Sequence, residues 1–222
     1  MKKFLAEAVG TFVLVFLGTG AIVLNDLSDG QLSHLGVSLS FGLAVTIMIY
    51  AFARTSGAHI NPAVSLAFWA NKQLERKLVL PYLLAQTTGA ILASLLLSLV
   101  APQHPTLGAT LPQTSIGNAI AIEFGMSFLL MFWILYVSNR GSGSLHLAAI
   151  SIGIVVALEA YFGGPFTGAS MNPARSLGPA LVSGNLDSLW IYFIAPISGM
   201  LFAVLISKMK SNRLNTPPTH PK

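Results

Sequence analysis

Two Asn-Pro-Ala triplets interrupt otherwise apolar sequence, one within SGAHINPAVS and the other within TGASMNPARS. Asparagine is a preferred N-cap of helices, and proline is favoured at the first helical position, so each triplet predicts the start of a helix. The capping asparagine accepts a backbone hydrogen bond and still has an amide NH2 to donate. Such a pair of donors suits neutral polar molecules. The residues concerned are Asn61, Pro62, Ala63, Asn172, Pro173 and Ala174.

The same two helix starts disfavour ions. A helix N-terminus carries roughly half a positive charge, so two that meet repel a cation by about 3 kcal/mol, at about 5 Å and an effective dielectric of about 20. Removing the water from an ion costs on the order of tens of kcal/mol in the Born limit. Dehydration is therefore the main barrier, and the helix dipoles add to it for cations.

The composition is that of a membrane protein. Of the 222 residues, 54% are apolar and 9% are charged, against roughly 25% charged in a soluble domain. A transmembrane helix needs about 20 predominantly apolar residues, and we therefore expect an all-α membrane protein with six spans. The stretches that qualify are 4–25, 32–53, 78–101, 116–138, 145–162 and 188–207.

Two shorter apolar stretches, 62–70 and 173–182, begin at the triplets. At about 1.5 Å per residue, each reaches about 14 Å, close to half of a hydrocarbon layer about 30 Å thick. They are predicted to enter the membrane without crossing it. The backbone before each must then line a cavity, because irregular backbone is tolerated inside a membrane only where it is covered by protein or faces water.

The chain consists of two similar halves. When the triplets are aligned, Gly42 matches Gly153 and Gly57 matches Gly168 without a gap. Each half holds three predicted spans, an odd number, so the second half must enter the membrane from the opposite side. An inverted 3+3 repeat with short broken segments at matching positions points to a pathway near the membrane midplane. The predicted organisation is one transmembrane channel domain over 1–222, with repeats at about 1–101 and 116–208 and a flexible tail at 209–222.

The net charge of +5 indicates orientation and not nucleic-acid binding. With the N-terminus inside, every lysine and arginine except Arg175 falls on one side of the predicted membrane, Arg140 included. Because short loops rich in these residues stay in the cytoplasm, both termini are predicted to be cytoplasmic, in a multi-pass protein of the plasma or inner membrane. The chain has no cysteine, and its histidines lack metal-ligand spacing, so we expect no metal and no cofactor.

The motifs AEAVGTF, SGAHINPAVS, EFGMSF and GGPFTGASMNPARSLGPA resemble the aquaporin and glycerol-facilitator family, the major intrinsic proteins, over nearly the whole chain. The resemblance implies six transmembrane helices plus two re-entrant half-helices around one pore per subunit, in a homotetramer. It also implies a selectivity filter in which Arg175 donates to a solute oxygen and repels cations. The four implied filter residues are Phe41, Ala160, Ala169 and Arg175.

The filter departs from two well-known patterns. Ala160 stands where strict water channels typically carry histidine, and Ser176 stands where glycerol facilitators typically carry aspartate. The motifs look most like the nodulin-type branch and its bacterial relatives, which pass water, glycerol or metalloid hydroxides such as arsenous and boric acid. We therefore expect a passive channel for water and small uncharged solutes that excludes ions and protons. A water-selective channel is the alternative.

Four further polar residues lie in or beside the predicted spans. An ionisable group at that depth nearly always has a partner or faces a cavity, and the resemblance implies that Glu7 and Glu123 brace the re-entrant loops; a proton relay is the alternative. His59, two residues before Asn61, is expected to line the pore or support its loop. For Glu159 two hypotheses stay open: a contact with loops or another subunit, or an acceptor or pH-sensitive group near the filter.

Two other classes of membrane protein compete with a channel. Secondary transporters share inverted repeats and broken helices, but they normally carry ion-binding carboxylates at the breaks, and these breaks carry only Asn, Ala and Ser. An intramembrane enzyme needs a nucleophile with a base, or clustered metal ligands. No predicted span carries either set, so an enzyme is not expected.

Overall fold

The computed structural model describes residues 1–139 and 145–214 of the chain. Arg140 and the chain end at 215–222 lie outside the described residues. Within the described ranges the protein is all-α, and no strand is present. Its helices are α1 (Lys2–Leu27), α2 (Ser33–Ser56), α3 (Pro62–Ala70), α4 (Arg76–Val100), α5 (Ile116–Asn139), α6 (Leu145–Thr167), α7 (Pro173–Ser183) and α8 (Ile191–Leu214).

The prediction of six spans is confirmed, since six of these helices are long and apolar enough to cross a membrane. They are α1, α2, α4, α5, α6 and α8. Consecutive spans alternate in direction, so the ends of the helices lie on two faces. We call the face on which α1 begins the N-terminal face. The loop at 101–115 then lies on the opposite face.

Two helices run further than the sequence predicts. α8 reaches Leu214, so residues 209–214 of the predicted tail are helical. α6 reaches Thr167, although its last turns contain Pro165, which has no N–H for the carbonyl of Tyr161. The ring of His34 replaces that donor, with Nε2 at 2.7 Å from the Tyr161 carbonyl oxygen. A partner supplied by α2 therefore satisfies the carbonyl that proline leaves free.

The two short helices begin at the triplets, as predicted. The side-chain oxygen of Asn61 accepts from the backbone N–H groups of Ala63 at 2.9 Å and Val64 at 3.4 Å. Asn172 accepts in the same way from Ala174 at 3.0 Å and Arg175 at 3.3 Å. A proline follows each asparagine at the start of the helix. With 9 and 11 residues, neither helix is long enough to cross a membrane.

The loops before the two caps share one unusual backbone conformation. Three of the four residues before each asparagine have a positive φ, and two of those three are not glycine. Such conformations are sparsely populated and persist only where the surroundings hold them. The angles are 93°, 48° and 45° at Gly57, Ala58 and Ile60, and 78°, 44° and 49° at Gly168, Ala169 and Met171.

The two halves pack together where α2 crosses α6. A Cβ built on Gly42 would lie 2.5 Å from the carbonyl oxygen of Gly153, and a Cβ on Gly153 would lie 2.5 Å from the carbonyl oxygen of Gly42. Small residues allow such close backbone approach in membrane helices. The matched glycines of the sequence repeat thus meet each other directly at the crossing.

We expect Gly42→Ala to destabilise the protein, because its methyl group would be forced against the backbone of α6. Overpacking of this kind costs about 1–3 kcal/mol. The measurement is the midpoint of thermal unfolding in detergent, which is monitored by size-exclusion chromatography. Gly125→Ala in α5 is the matched control, since an added Cβ there meets nothing within 4 Å. An equal loss in both variants would contradict this account of the crossing.

Candidate functional site

A cavity of about 350 Å³ lies inside the helix bundle and is lined by both re-entrant loops. The predicted residues His59, Asn61 and Asn172 line it together. Its other walls come from apolar side chains of the spans, such as Val45 and Ile152. The sequence repeat therefore places both triplets at one cavity, where polar groups of the loops face apolar walls.

The two capping asparagines bind the loops to each other. Nδ2 of Asn61 donates to the carbonyl of Met171 at 2.8 Å, and Nδ2 of Asn172 donates to the carbonyl of Ile60 at 2.9 Å. An amide NH2 has two hydrogens, so each asparagine retains one for the cavity. Each amide therefore joins its loop to the opposite one, a contact that was not predicted from the sequence.

Glu7 lies beneath the first loop and is fully buried. Its Oε1 accepts from the hydroxyl of Ser56 at 2.6 Å and from the backbone N–H of His59 at 2.9 Å. Its Oε2 accepts from the backbone N–H of Ile60 at 2.7 Å and from the amide of Gln86 at 2.7 Å. One carboxylate thus satisfies two backbone donors of the irregular segment.

Glu123 makes the corresponding contacts with the second loop and is also fully buried. Its Oε1 accepts from the hydroxyl of Thr167 at 2.7 Å and from the backbone N–H of Ser170 at 2.9 Å. Its Oε2 accepts from the backbone N–H of Met171 at 3.0 Å. The two carboxylates therefore hold equivalent positions of the two loops.

Gln86 is a part of this network that the sequence reasoning missed. Its Nε2 donates to Glu7 and, at 2.9 Å, to the hydroxyl of Ser65. The same hydroxyl lies 3.0 Å from Nδ1 of His59, and the ring of His59 stacks on Phe68 with centroids 4.7 Å apart. A buried amide in an apolar span is costly unless it is paired, and that cost was the available signal.

A pair of tyrosines was missed as well. The hydroxyl of Tyr82 donates to the carbonyl of Ser56 at 2.7 Å, and the hydroxyl of Tyr192 donates to the carbonyl of Thr167 at 2.6 Å. Each satisfies a carbonyl at the end of the helix that precedes a re-entrant loop. They take equivalent places in α4 and α8, although the register of the triplets pairs Tyr82 with Phe193, one residue beyond Tyr192.

A second cavity, of about 330 Å³, extends toward the face opposite to the N-terminal face. Phe41, Ala160 and Arg175 line both cavities. Ala169 lines the first cavity, and its neighbour Gly168 lines the second. The four residues that the resemblance implies as a filter therefore lie together at the junction of the two cavities.

Arg175 is 2% exposed and is held from two sides. Its Nη1 donates to the carbonyl of Gly108 at 2.8 Å, and its guanidinium carbon lies 4.9 Å from the centroid of the Phe41 ring. Among the described residues, its Nε and Nη2 have no hydrogen-bond partner. These two nitrogen atoms are buried and belong to a residue that lines both cavities, so donors without a partner among the described residues lie beside the junction.

Glu159 is 8% exposed and lines a third cavity of about 600 Å³ between α5 and α6. It is not among the described residues that line the first or the second cavity. Within that same part of the chain, neither of its carboxylate oxygens has a hydrogen-bond partner. Although Glu159 is the neighbour of Ala160 in sequence, it faces away from the path.

Comparison with known proteins decides the family. Residues 1–207 match the family model described as major intrinsic protein. The chain belongs to the major intrinsic protein family. This major intrinsic protein is therefore an integral multi-pass membrane protein and a passive channel for water and small solutes, and not an enzyme. The secondary transporter considered from the sequence is set aside by the same finding.

Individual relatives agree with the family assignment. The channel is 42% identical to Aquaporin NIP1-1 of Zea mays over 200 residues, which cover 90% of this chain and 71% of the relative. It is 40% identical to Nodulin-26 of Glycine max over 202 residues, covering 90% and 74%. The X-ray structure of the aquaglyceroporin from Plasmodium falciparum superposes with a TM-score of 0.86 at 25% identity, covering 96% of this chain and 97% of that chain. The fold of this major intrinsic protein is thus the aquaporin fold.

We expect Glu123→Gln to lower the thermal stability of this major intrinsic protein. The substituted amide would turn an N–H toward the backbone N–H of Met171, and an unsatisfied buried donor costs about 1–3 kcal/mol. The measurement is the midpoint of thermal unfolding, together with water permeability in proteoliposomes. Glu159→Gln is the matched control, because it changes a buried glutamate without a partner among the described residues. If both variants lost the same stability, the bracing of the loop by Glu123 would be refuted.

Proposed function

We propose that the channel passes water, glycerol and other small uncharged solutes, including metalloid hydroxides such as arsenous and boric acid, and excludes ions and protons. The observation that carries the proposal is the set of side chains at the junction of the two cavities. One aromatic ring, one guanidinium and two methyl groups meet there. The name of the structural neighbour, an aquaglyceroporin, points in the same direction.

The junction suits molecules with an apolar side and a polar side. The carbon atoms of glycerol can pack on the ring of Phe41, while its hydroxyl oxygens accept from Nε and Nη2 of Arg175. The methyl groups of Ala160 and Ala169 complete the walls and occupy little space. A bulkier or more polar residue in place of Ala160 would narrow the opening and favour water alone.

Beyond the junction, the solute meets the two triplets. The remaining amide hydrogen of Asn61 and that of Asn172 can both donate to one solute oxygen. Water held by these two donors directs its own hydrogens away from them, so a continuous chain of donors and acceptors through the midpoint is interrupted. We infer that protons are excluded there. A neutral molecule passes because hydrogen bonds from the two amides replace those that it made with water.

Several features disfavour ions along the same path. Arg175 places a positive charge at the junction, and the N-termini of α3 and α7 add their dipoles. No carboxylate is among the described residues that line the first cavity, so a cation gains no compensating charge there. An anion is disfavoured because it would lose its hydration shell in a cavity with mainly apolar walls, which is costly. Small uncharged solutes remain as the class that the path accepts.

Orientation and assembly are also proposed. Both termini face the cytoplasm from the plasma or inner membrane, because lysine and arginine concentrate on the N-terminal face. The channel assembles as a homotetramer with one pore in each subunit, as its family resemblance implies. We expect native mass spectrometry in mild detergent to find four copies per particle. A species that stays monomeric across detergents would count against this assembly.

The decisive experiment compares solutes in proteoliposomes by stopped-flow light scattering. We expect the wild type to pass water, glycerol and arsenous acid with a low activation energy and without saturation. Ala160→His should reduce glycerol and arsenous acid permeability by about tenfold or more, equivalent to about 1.4 kcal/mol, and retain water permeability. The imidazole would fill the space that the methyl group leaves open.

Ala160→Ser is the matched control, because it adds polarity with little volume. It should pass the larger solutes nearly as well as the wild type. A wild type that passes water alone would favour the water-selective alternative. Equal passage of the larger solutes through the wild type and Ala160→His would remove Ala160 from the filter.

A further inference from the structure

The acceptor that holds Arg175 belongs to a turn in the loop at 101–115. Gly108 supplies the carbonyl oxygen, 2.8 Å from Nη1 of Arg175. The turn is strained, because Leu107 has φ 49° and Gly108 has φ 75°, and the left-handed region is unfavourable for a leucine. Some contact must therefore hold this turn in place.

The ring of His104 makes that contact. Its Nδ1 lies 3.0 Å from the backbone nitrogen of Leu107 and 3.4 Å from that of Thr106. A backbone N–H can only donate, so Nδ1 must accept, and the hydrogen of the neutral ring is on Nε2. Nε2 lies 3.2 Å from Oδ2 of Asp26, to which it donates. The geometry of the ring thus fixes its tautomer.

These contacts attach the turn to the body of the protein. Asp26 lies in the last turn of α1, and the side chain of His104 is only 4% exposed. Leu107 is buried in a cluster with Val23 and Leu97. A Cβ built on Gly108 would lie 2.9 Å from the Cβ of Thr19 in α1. The carbonyl that Arg175 uses is therefore placed by α1 through His104 and by close packing.

We propose that His104 is a positioning residue for Arg175 and thereby sets the solute selectivity of the filter. The proposal rests on the proposed function, in which Arg175 selects among neutral solutes. Within the described part of the chain, the guanidinium donates to the carbonyl of Gly108 through Nη1, whereas Nε and Nη2 have no acceptor. The Gly108 carbonyl and the ring of Phe41 together determine how far the guanidinium extends into the path, and the carbonyl is the contact that His104 controls.

Loss of the His104 contacts has a defined consequence. The N–H groups of Thr106 and Leu107 lose their acceptor, and the strained turn relaxes toward a commoner backbone conformation. Nη1 of Arg175 then loses the Gly108 carbonyl and turns to water in the cavity. A guanidinium displaced into the junction obstructs glycerol more than water, because glycerol needs the wider opening.

The test uses two substitutions in the full-length channel, His104→Ala and His104→Asn. The asparagine oxygen can accept from the N–H groups two and three residues ahead, as in an Asx-turn, and so replaces Nδ1. Alanine offers no acceptor. Water and glycerol permeabilities are measured in proteoliposomes at equal protein content, and size-exclusion chromatography verifies that both variants are folded.

We expect His104→Ala to lower the ratio of glycerol to water permeability by at least about threefold. The reason is that the charged guanidinium of Arg175 loses its hydrogen bond to the Gly108 carbonyl. His104→Asn should restore the ratio to near the wild-type value. A smaller change in His104→Ala, or an asparagine variant that behaves like the alanine variant, would overturn the inference while leaving the proposed function intact.

The wild type separates the two proposals. If the wild type passes water and not glycerol, the proposed solute range fails. The role of His104 is then tested by water permeability alone. That permeability should fall by at least about threefold in His104→Ala and recover in His104→Asn. Unchanged water permeability in His104→Ala would contradict the role of His104 in that case.

Discussion

Inside a membrane every backbone N–H and C=O must find a partner in the protein or in a water-filled cavity, and this requirement governs how the channel is built. The path needs irregular backbone at its midpoint, since a regular helix leaves no polar group for a solute. Glu7 and Glu123 meet the requirement from below each loop by accepting from the N–H groups of the residues just before the caps. Those two carboxylates thus satisfy backbone donors in the loops that carry the left-handed residues.

The second determinant is close approach between the halves. The glycine crossing of α2 and α6 brings the two repeats into direct backbone contact, and the capping asparagines then reach carbonyls of the opposite loop. The filter lies beyond this centre and is built differently. The carbonyl that holds Arg175 comes from the loop at 101–115. This loop joins the two halves and belongs to neither repeat, so the contact is not repeated in the first half.

Much of the architecture could be predicted from local signals. Apolar length predicts the spans, and Asn-Pro predicts the starts of α3 and α7, because capping is decided within a few residues. Signals that depend on a distant partner were out of reach. The carbonyl that Pro165 leaves free in α6 is paired by the ring of His34 from α2, and the placement of Gln86 against Glu7 needs two helices already packed. The local sequence can indicate that Gln86 needs a partner, but it does not identify the partner in either contact.

The hydrogen bonds between Asn61 and Met171 and between Asn172 and Ile60 form a seam that closes the middle of the molecule. Widening the channel at that point would break both bonds at once and would separate the two loops, at about 1–3 kcal/mol for each buried group that finds no new partner. The midpoint therefore behaves as a fixed aperture. Any gating of flux is expected at the two mouths, where loops and side chains can move without opening the seam.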